Sequence, residues 1–249
     1  MDYHEAEHHQ IHLGYVVVMI VARDLQRIYG QGAGSIRALR GINLEVRPGE
    51  FLAIMGRSGS GKSTLLRLLG LLDMPTSGQI HIEDTDVLKL SEKERGRFRL
   101  ERLGYVFQES SLVGELTVLE NVYLPALSFG QENNYRRRAA EMLQLVGLGE
   151  RLTHYPHEVS VGEQQRAAIA RALINSPKIL FADEPTASLD MDSARVVLGL
   201  FGKLNKDLGQ TVVMVTHEPE DEKYVDRVIW LKDGLVEKER PSWHHLGNP

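Results

Sequence analysis

Residues 56–64 read GRSGSGKST, and the types and spacing of these residues suit the binding of phosphate groups. They fit the pattern G-x-x-x-x-G-K-[ST], in which glycines let successive backbone N–H groups converge on phosphate oxygens. We predict that Lys62 adds positive charge at the β- and γ-phosphates of a nucleotide and that Ser63 offers its hydroxyl to Mg²⁺. The alternative is a chance glycine-rich turn, which would not require the apolar run before this loop or the helical run LLRLLG after it. The predicted phosphate-binding loop (P-loop) comprises Gly56, Arg57, Ser58, Gly59, Ser60, Gly61, Lys62, Ser63 and Thr64.

Two adjacent carboxylates close the apolar run ILFADE at residues 179–184. We expect Asp183 to hold Mg²⁺, usually through water, and Glu184 to polarise the attacking water as a general base. The alternative is a pair of strand-terminal acids that only cap the next helix. The presence of a P-loop in the same chain favours the catalytic interpretation.

Three further residues are candidates for contacts with a nucleotide. Gln108 follows an apolar run and carries a neutral amide that can contact Mg²⁺ or the attacking water. His217 follows another run, where it is positioned to hydrogen-bond the γ-phosphate. Each of these two residues alone is more often structural, but their shared place at strand ends favours function. Tyr29, in LQRIYG, is a candidate platform for stacking on adenine, and the alternative is a core or surface tyrosine.

The stretch VSVGEQQR at residues 159–166, here called the signature segment, opens the helix-forming run AAIARAL. Ser160 is a good N-cap residue. A cap alone would not explain Gly162, because glycine costs about 1 kcal/mol against alanine inside a helix. A helix N-terminus with open N–H groups is also a ready anion site. We therefore predict that the Ser160 hydroxyl and the N–H groups at this helix start contact a phosphate.

Short apolar runs recur along the chain and predict the strands that position these residues. Their continuous rather than alternating apolar character indicates strands buried on both faces, which is typical of an α/β fold with a mostly parallel sheet. Ligands bind outside the carboxyl ends of such strands, so Gly56, Gln108, the Asp183–Glu184 pair and His217 are expected to meet at one site. The runs lie at residues 15–22, 51–55, 103–107, 178–183, 211–216 and 227–231.

The stretch between Gln108 and Lys178 has a different, helical texture. Within RRRAAEMLQLVGL, the residues Ala139, Met142, Leu143 and Val146 follow the i, i+3, i+4, i+7 spacing of an amphipathic helix. We predict a helical subdomain of about 65 residues, near 110–176, inserted in the sheet domain. The arginines at 95, 97, 99 and 102 and at 136–138 are interpreted as solvated helix faces, with docking of an acidic partner as the alternative.

Composition narrows the function classes. The net charge is −5 with both signs mixed, so no overall positive field would attract nucleic acid or an anionic membrane. The absence of cysteine excludes disulfides and thiolate metal sites and fits a reducing compartment. No apolar stretch reaches the roughly 20 residues of a membrane helix, which favours a cytosolic location.

Residues 1–18 are predicted to form a flexible tail, followed by a single domain at 19–249. The tail contains His4, His8, His9 and His12. These histidines could bind a metal ion, but a disordered polar tail is the favoured interpretation.

The complete series of motifs resembles the nucleotide-binding subunits of ABC transporters over about residues 20–238. Within that superfamily, the stretches GLLDMPTSG, LGYVFQESSLVGELTVLENVYLPAL and ADEPTASLD resemble the lipoprotein-release and macrolide-export (LolD/MacB-like) type. The signature segment departs from the usual LSGGQ or LSGGE at Val159 and Val161. The matching motifs are Tyr29 for the adenine loop, GRSGSGKST, Gln108 for the Q-loop, SVGEQQR for the signature, ILFADE for Walker B, Ser188-Leu189-Asp190 for the D-loop and His217 for the switch histidine.

This resemblance implies an antiparallel β part near the N-terminus and a homodimer in the ATP-bound state. Two copies would stack head to tail, each ATP lying between the P-loop of one copy and the signature helix of the other. Ser160, Gly162, Glu163 and Asp190 would then contact nucleotide, and a side chain at Gly162 would lie where the opposite P-loop approaches. Val161 would matter only through its backbone and bulk.

The resemblance also implies that hydrolysis of MgATP drives a separate integral membrane permease. The protein would lie on the inner face of the cell membrane through that permease. One alternative is a soluble ABC ATPase of the iron–sulfur assembly type or of a DNA-repair type, although long coiled coils and cysteine pairs of the repair type are absent. A P-loop enzyme that transfers phosphate to a small acceptor is a third alternative, but it would have no use for a signature helix.

Overall fold

The computed structural model describes residues 18–129 and 132–241. The predicted tail and its four histidines therefore lie outside the described residues, apart from residue 18. The strands are β1 Ile20–Tyr29, β2 Ile36–Val46, β3 Phe51–Gly56, β4 Ser77–Ile82, β5 Thr85–Asp86, β6 Leu103–Val106, β7 Ile179–Asp183, β8 Thr211–Val215, β9 Arg227–Lys232 and β10 Leu235–Pro241. The α-helices are α1 Lys62–Leu69, α2 Glu92–Arg102, α3 Val118–Tyr123, α4 Glu132–Leu145, α5 Val161–Leu173 and α6 Met191–Leu208. Short 3-10 turns are Gly32–Gly34, Leu124–Phe129, Gly149–Arg151, Pro156–Glu158 and Pro219–Tyr224.

The larger sheet has six strands in the order β10-β9-β3-β8-β7-β6. All neighbours from β9 to β6 pair in parallel, and only β10 runs antiparallel to its neighbour β9. Strands β3, β6, β7, β8 and β9 coincide within one residue at each end with the apolar runs that predicted them. The predicted α/β fold with a mostly parallel sheet is thus confirmed. Because the strands are parallel, β3, β6, β7 and β8 end at the same edge.

Strand β3 shows why its run is continuously apolar. Phe51, Ala53 and Met55 belong to the core between the sheet and the helices α3 to α6, whereas Leu52 and Ile54 belong to the core shared with α1 and the smaller sheet. All five side chains are buried. Burial on both faces fixes the strand firmly, so the loop that follows it starts from a rigid point.

The smaller sheet has the order β2-β1-β4-β5 and is antiparallel, which confirms the antiparallel part near the N-terminus. The sequence predicted a strand at 15–22, but β1 begins at Ile20 and continues to Tyr29. The prediction ended at Ala22 because continuous apolar character ends there. Pairing with β2 carries the strand further, up to the partners Tyr29 and Ile36.

Helices α3, α4 and α5 lie between β6 and β7 and pack against one another. The amphipathic helix predicted here is confirmed as α4, with Ala139 and Leu143 fully buried. This is the stretch in which the sequence predicts an inserted subdomain. In the described residues, no helix combines the length and apolar character needed to cross a membrane.

The arginines of α2 differ from the predicted solvated face. Arg97 is exposed and pairs with Glu101. Arg95 instead lies against Met74 and Glu92 with 13% of its side chain exposed, and Arg99 donates to the carbonyl of Leu71. The prediction was wrong for these two residues because α2 lies against the turn after α1, which covers one side of the helix.

Candidate functional site

The P-loop bends between β3 and α1 around the ammonium group of Lys62. Lys62 is buried, and its Nζ donates to the carbonyls of Gly56 (2.9 Å) and Arg57 (3.1 Å). Gly61 is the N-cap of α1 with φ of 105°, and a Cβ there would lie 2.6 Å from the carbonyl oxygen of Ala38. Only glycine fits this position. The loop therefore brings the first N–H groups of α1 and the positive charge of Lys62 to its centre, an arrangement that suits an anion.

A cleft of about 1050 Å³ lies over the P-loop. Its floor consists of P-loop residues, and its other walls come from β2 and from the ends of β7, β8 and β9. Its volume is at the upper end of the range for small-molecule sites, which suits a nucleoside triphosphate. Lining side chains outside the P-loop include Ile36, Arg37, Arg40, Glu184, His217, Trp230 and Asp233.

Ser63 and Asp183 meet at the edge of the P-loop. The Ser63 hydroxyl donates to Asp183 Oδ1 at 3.0 Å, although the two residues are 120 positions apart. Burial raises the pKa of the Asp183 carboxyl, the Ser63 hydrogen bond opposes this rise, and the neighbouring Glu184 carboxylate adds to it. A hydroxyl and a carboxylate together supply the oxygen ligands that Mg²⁺ prefers. These residues therefore fit a Mg²⁺ ion, whose charge would also favour the ionised form of Asp183.

Glu184 has a backbone conformation that is rare for residues other than glycine. Its φ is 45°, in the left-handed region, and its N–H donates to the carbonyl of Val215 at 3.0 Å. Such a conformation costs about 1–3 kcal/mol in a residue other than glycine and clusters at functional sites. The hydrogen bond to β8 holds the turn, and the Glu184 side chain lines the cleft.

His217 lies between two carboxylates. Its Nδ1 is 3.2 Å from Glu184 Oε2, and its Nε2 is 3.1 Å from Glu218 Oε1. Sequence reasoning identified His217 and Glu184 but missed Glu218, for which adjacency to His217 was the available signal. The arrangement orients the Glu184 carboxylate within the cleft and gives His217 a second partner outside it.

The signature segment forms the start of α5, as predicted. Ser160 is the N-cap: its hydroxyl accepts from the Glu163 N–H at 3.2 Å, and Glu163 Oε2 accepts from the Ser160 N–H at 2.8 Å. The backbone hydrogen bond from Ser160 lowers the pKa of Glu163 despite partial burial, with help from Arg151. Ser160 and Val161 are exposed. The capping box leaves the helix start well ordered and open to solvent.

Gly162 is buried and packs closely against α6 of its own chain. A Cβ at Gly162 would lie 2.8 Å from Ser193 Oγ and 3.0 Å from Ser193 Cβ, within the same chain. Ser193 is fixed in turn because its Oγ donates to Asp190 Oδ2 at 2.7 Å. Within one copy the Cβ position of Gly162 faces α6, and the approach of an opposite P-loop to Gly162 stays a prediction. Glycine is needed here for the close approach of α5 to α6.

We predict that Gly162→Ala lowers ATP hydrolysis by about tenfold, on the order of 1.4 kcal/mol in barrier, because the added methyl group pushes the start of α5 away from Ser193. Ser193→Gly in the same chain should restore most of the activity, since it removes the two contacting atoms. Val161→Gly, at an exposed position, is the comparison and should change the rate by less than about fivefold. Steady-state hydrolysis by the four variants, with Ser193→Gly alone included, measures this. Failure of Ser193→Gly to rescue the alanine variant would contradict intramolecular packing as the cause.

Asp190 caps the other helix of this pair. Its Oδ1 accepts from the N–H groups of Asp192 (3.0 Å) and Ser193 (2.9 Å), which makes it the N-cap of α6. These hydrogen bonds lower the pKa of Asp190. A contact of Asp190 with nucleotide stays a prediction, and its observed role is to order the start of α6.

Tyr29 lies at the end of β1 and is held by two neighbours. Its hydroxyl donates to Asp73 Oδ2 at 2.9 Å, and the guanidinium of Arg27 lies 4.4 Å from the ring centroid. Arg27 also pairs with Asp73 at 2.8 Å. One face of the ring is therefore covered. Tyr29 is partly exposed and does not line the P-loop cleft, so stacking on adenine stays a prediction.

Tyr29→Ala should weaken ATP binding by at most about tenfold, the size of a single stacking contact. Titration of the nucleotide measures the affinity. Tyr29→Phe is the matched control, because it keeps the ring and loses only the hydrogen bond to Asp73. Full affinity in Tyr29→Ala would assign this residue to packing.

The structure thus gathers some predicted site residues and leaves others apart. It brings Lys62, Ser63, Asp183, Glu184 and His217 to one edge of the sheet. Predicted site residues that do not line the cleft are Tyr29, Ser60, Gln108, Ser160, Gly162, Glu163, Asp183 and Asp190, of which Asp183 is tied to the cleft through Ser63. Gln108 is exposed two residues beyond the end of β6.

Comparison with known proteins identifies relatives that are ATP-binding proteins of ABC transporters. A family model described as ABC transporter matches residues 39–187. An uncharacterized ABC transporter ATP-binding protein of Methanocaldococcus jannaschii is 50% identical over 219 residues, which cover 88% of this chain and 97% of the relative. The lipoprotein-releasing system ATP-binding protein LolD 2 of Caulobacter vibrioides is 44% identical over 223 residues, covering 89% of this chain and 98% of the relative.

A longer relative is the macrolide export ATP-binding/permease protein MacB of Chlorobium luteolum, which is 48% identical over 213 residues. The match covers 86% of this chain but only 32% of that protein, so the chain spans about a third of its length. Among solved structures, a dimeric ATP-binding cassette of M. jannaschii in a post-hydrolysis state, bound to ADP and Pi, superimposes with a TM-score of 0.82. It is 41% identical, with 90% of this chain and 98% of that chain covered.

Proposed function

The chain belongs to the ABC transporter family and is an ATPase, and on that premise we propose that two copies close head to tail around two MgATP to drive a separate permease. The observation that carries the proposal is the division of the site. The P-loop, Glu184 and His217 share one cleft, with Asp183 hydrogen-bonded to Ser63 beside it, whereas the capped start of α5 is exposed and does not line the cleft. A second copy can supply the α5 start that this cleft lacks.

The polar residues at the centre of the site each have a part in the proposed reaction. Lys62, held at the centre of the loop by two carbonyls, places a positive charge at the β- and γ-phosphates. Glu184 accepts a proton from the water that attacks the γ-phosphate, and His217 orients Glu184 from Nδ1. Ser63 and Asp183 would hold Mg²⁺, which when bound neutralises developing charge on the phosphate oxygens. Gln108 is the further candidate for contact with the metal or the attacking water.

The signature segment completes the proposed site from the opposite copy. The Ser160 hydroxyl accepts from the Glu163 N–H and also hydrogen-bonds the Glu163 carboxylate, so it would donate to a γ-phosphate by exchanging that carboxylate for a phosphate oxygen. The first N–H groups of α5 point the same way as in other anion-binding helix starts. Glu163 serves to shape this cap, and Asp190 keeps α6 in register behind it. Val161 presents an apolar side chain beside the predicted contact.

The permease and the transporter type are proposals from the relatives. LolD 2 is named as the ATP-binding protein of a lipoprotein-releasing system, and MacB as an ATP-binding/permease protein for macrolide export. By likeness to them, we propose that this chain serves a transporter of the LolD/MacB-like type from the inner face of the cell membrane. The separate permease would supply the part of MacB that this chain does not span.

An apolar groove of about 510 Å³ offers a contact surface for such a permease. It lies between α2, the end of β6, the turn after α3, and the end of α5. Leu72, Phe107 and Leu124 are large apolar side chains, each 38–39% exposed, that line it. Exposed apolar surface of this kind marks sites of protein contact. We assign it to a cytoplasmic segment of the permease.

Affinity purification from detergent-solubilised membranes of the source organism tests this proposal. The chain should copurify with an integral membrane protein, and Leu72→Glu with Leu124→Glu should reduce the yield by about tenfold, because two charges would be buried in the groove. Leu145→Glu, a leucine at the end of α4 that is 37% exposed and does not line the groove, is the matched control. Recovery of soluble partners alone would favour the assembly-type ATPase instead.

A further inference from the structure

Residues 107–111, here called the Gln108 segment, connect the end of β6 to the helices. Backbone carbonyl oxygens of this segment accept hydrogen bonds from side chains of α5. Gln165 Nε2 donates to the carbonyl of Phe107 at 2.8 Å. Arg171 donates from Nη2 to the carbonyl of Ser110 and from Nη1 to that of Ser111, both at 2.7 Å. These three bonds come from two side chains of one helix.

The Gln165 amide and the Arg171 guanidinium are polar groups whose burial carries a cost in desolvation free energy. Gln165 is 2% exposed and Arg171 is half-buried. In the described residues, the Arg171 guanidinium has backbone carbonyls as its partners and forms no ion pair with a carboxylate. A guanidinium fork matches two acceptors at fixed spacing, which a lysine ammonium does not. Because buried polar groups must be paired, the bonds to the Gln108 segment are what make this arrangement stable.

The same helix carries the signature segment at its other end. Ser160 caps α5, and Arg171 lies in its last turn. The two residues are eleven positions apart, which corresponds to about 16 Å along the helix axis. A helix of this length is stiff, so a displacement of the Gln108 segment is passed directly to the exposed helix start.

We infer that Arg171 and Gln165 are positioning residues that tie the Gln108 segment to α5, so that Gln108 and the signature segment move as one unit. The inference rests on the proposed function, in which Gln108 meets the nucleotide of its own copy and Ser160 meets that of the other. The two bound nucleotides are then linked through a single helix, and loss of the tie uncouples them. Gln108 itself takes no part in these three hydrogen bonds, and it is exposed.

A double-mutant cycle tests the tie. Arg171→Gln should lower kcat by about tenfold while the affinity of the monomer for ATP changes by less than about twofold, because the P-loop is untouched. In a Gln108→Ala background, Arg171→Gln should cause less than about a twofold further loss, since Gln108 is no longer there to be positioned. Arg171→Lys should recover only part of the rate. Arg137→Gln, an exposed arginine of α4, is the charge-matched control.

A second measurement covers the case in which Arg171→Gln does not fold. Gln165→Met removes only the donor to Phe107 and should raise amide hydrogen exchange in residues 107–111 by about tenfold without added ATP. The inference would be overturned if the losses of kcat in Arg171→Gln and Gln108→Ala were independent of each other. It would also be overturned if kcat in Arg171→Gln and amide exchange in Gln165→Met were unchanged. Failure of the proposed function is a separate outcome, visible when Glu184→Gln, with Arg171 and Gln165 intact, forms no ATP-dependent dimer.

Discussion

Lys62→Ala is expected to reduce ATP hydrolysis by about a thousandfold, to background, while the protein remains folded. The side chain contributes a charge aimed at phosphates rather than an apolar contact, and its Nζ rests between the carbonyls of Gly56 and Arg57. Its loss exposes those carbonyls to solvent in the cleft, so the free energy of unfolding should fall by only about 1 kcal/mol.

Steady-state phosphate release with thermal unfolding by circular dichroism checks both parts of this prediction. Lys178→Ala is the control, because Lys178 is an exposed lysine at the opposite end of β7 from Asp183. Hydrolysis close to wild type in purified, folded Lys62→Ala would remove the P-loop from the reaction.

Glu184→Gln should keep nucleotide binding and slow turnover by about a thousandfold, because the amide preserves the shape of the carboxylate and cannot accept the proton. Its oxygen can still accept from His217 Nδ1, now 3.2 Å from Glu184 Oε2, so the geometry of the turn is retained. With hydrolysis stopped, the ATP-bound dimer should accumulate. Light scattering would then show a shift from the 28.0 kDa monomer to twice that mass.

Glu218→Gln is the matched control for this variant, because it changes the other carboxylate beside His217. It should retain turnover within about fivefold, since Glu218 does not line the cleft. Normal turnover in Glu184→Gln would instead transfer the base to another group, and His217 would be the first to test.

The parts of the site that could be predicted are those defined by neighbours in the chain. The P-loop is nine consecutive residues between a strand and a helix, so its composition and context were sufficient. The strands of the larger sheet were found for a similar reason, since burial on both faces makes each run continuously apolar. The meeting of Ser63 with Asp183 then followed from the rule that parallel strands end at one edge.

Other features depend on which elements pack together. Nothing in the residues near Gly162 indicates that Ser193 of α6 lies 2.8 Å from its missing Cβ. Arg95 and Arg99 look like surface residues in the sequence, yet the turn after α1 covers them. Tyr29 reads as a free aromatic ring until Asp73 and Arg27 are seen to hold it.

The sequence by itself therefore determined the chemistry of this protein: a P-loop, a carboxylate pair and a capped helix start, each written in a short stretch. Only the tertiary structure decided how these stretches are held, as in the clamp of Arg171 on the carbonyls of Ser110 and Ser111 some 60 residues away. The physical reason is that local patterns depend on backbone geometry and burial, which adjacent residues fix. The direction and partners of a side chain depend on how separate helices and strands approach one another, which no single segment specifies.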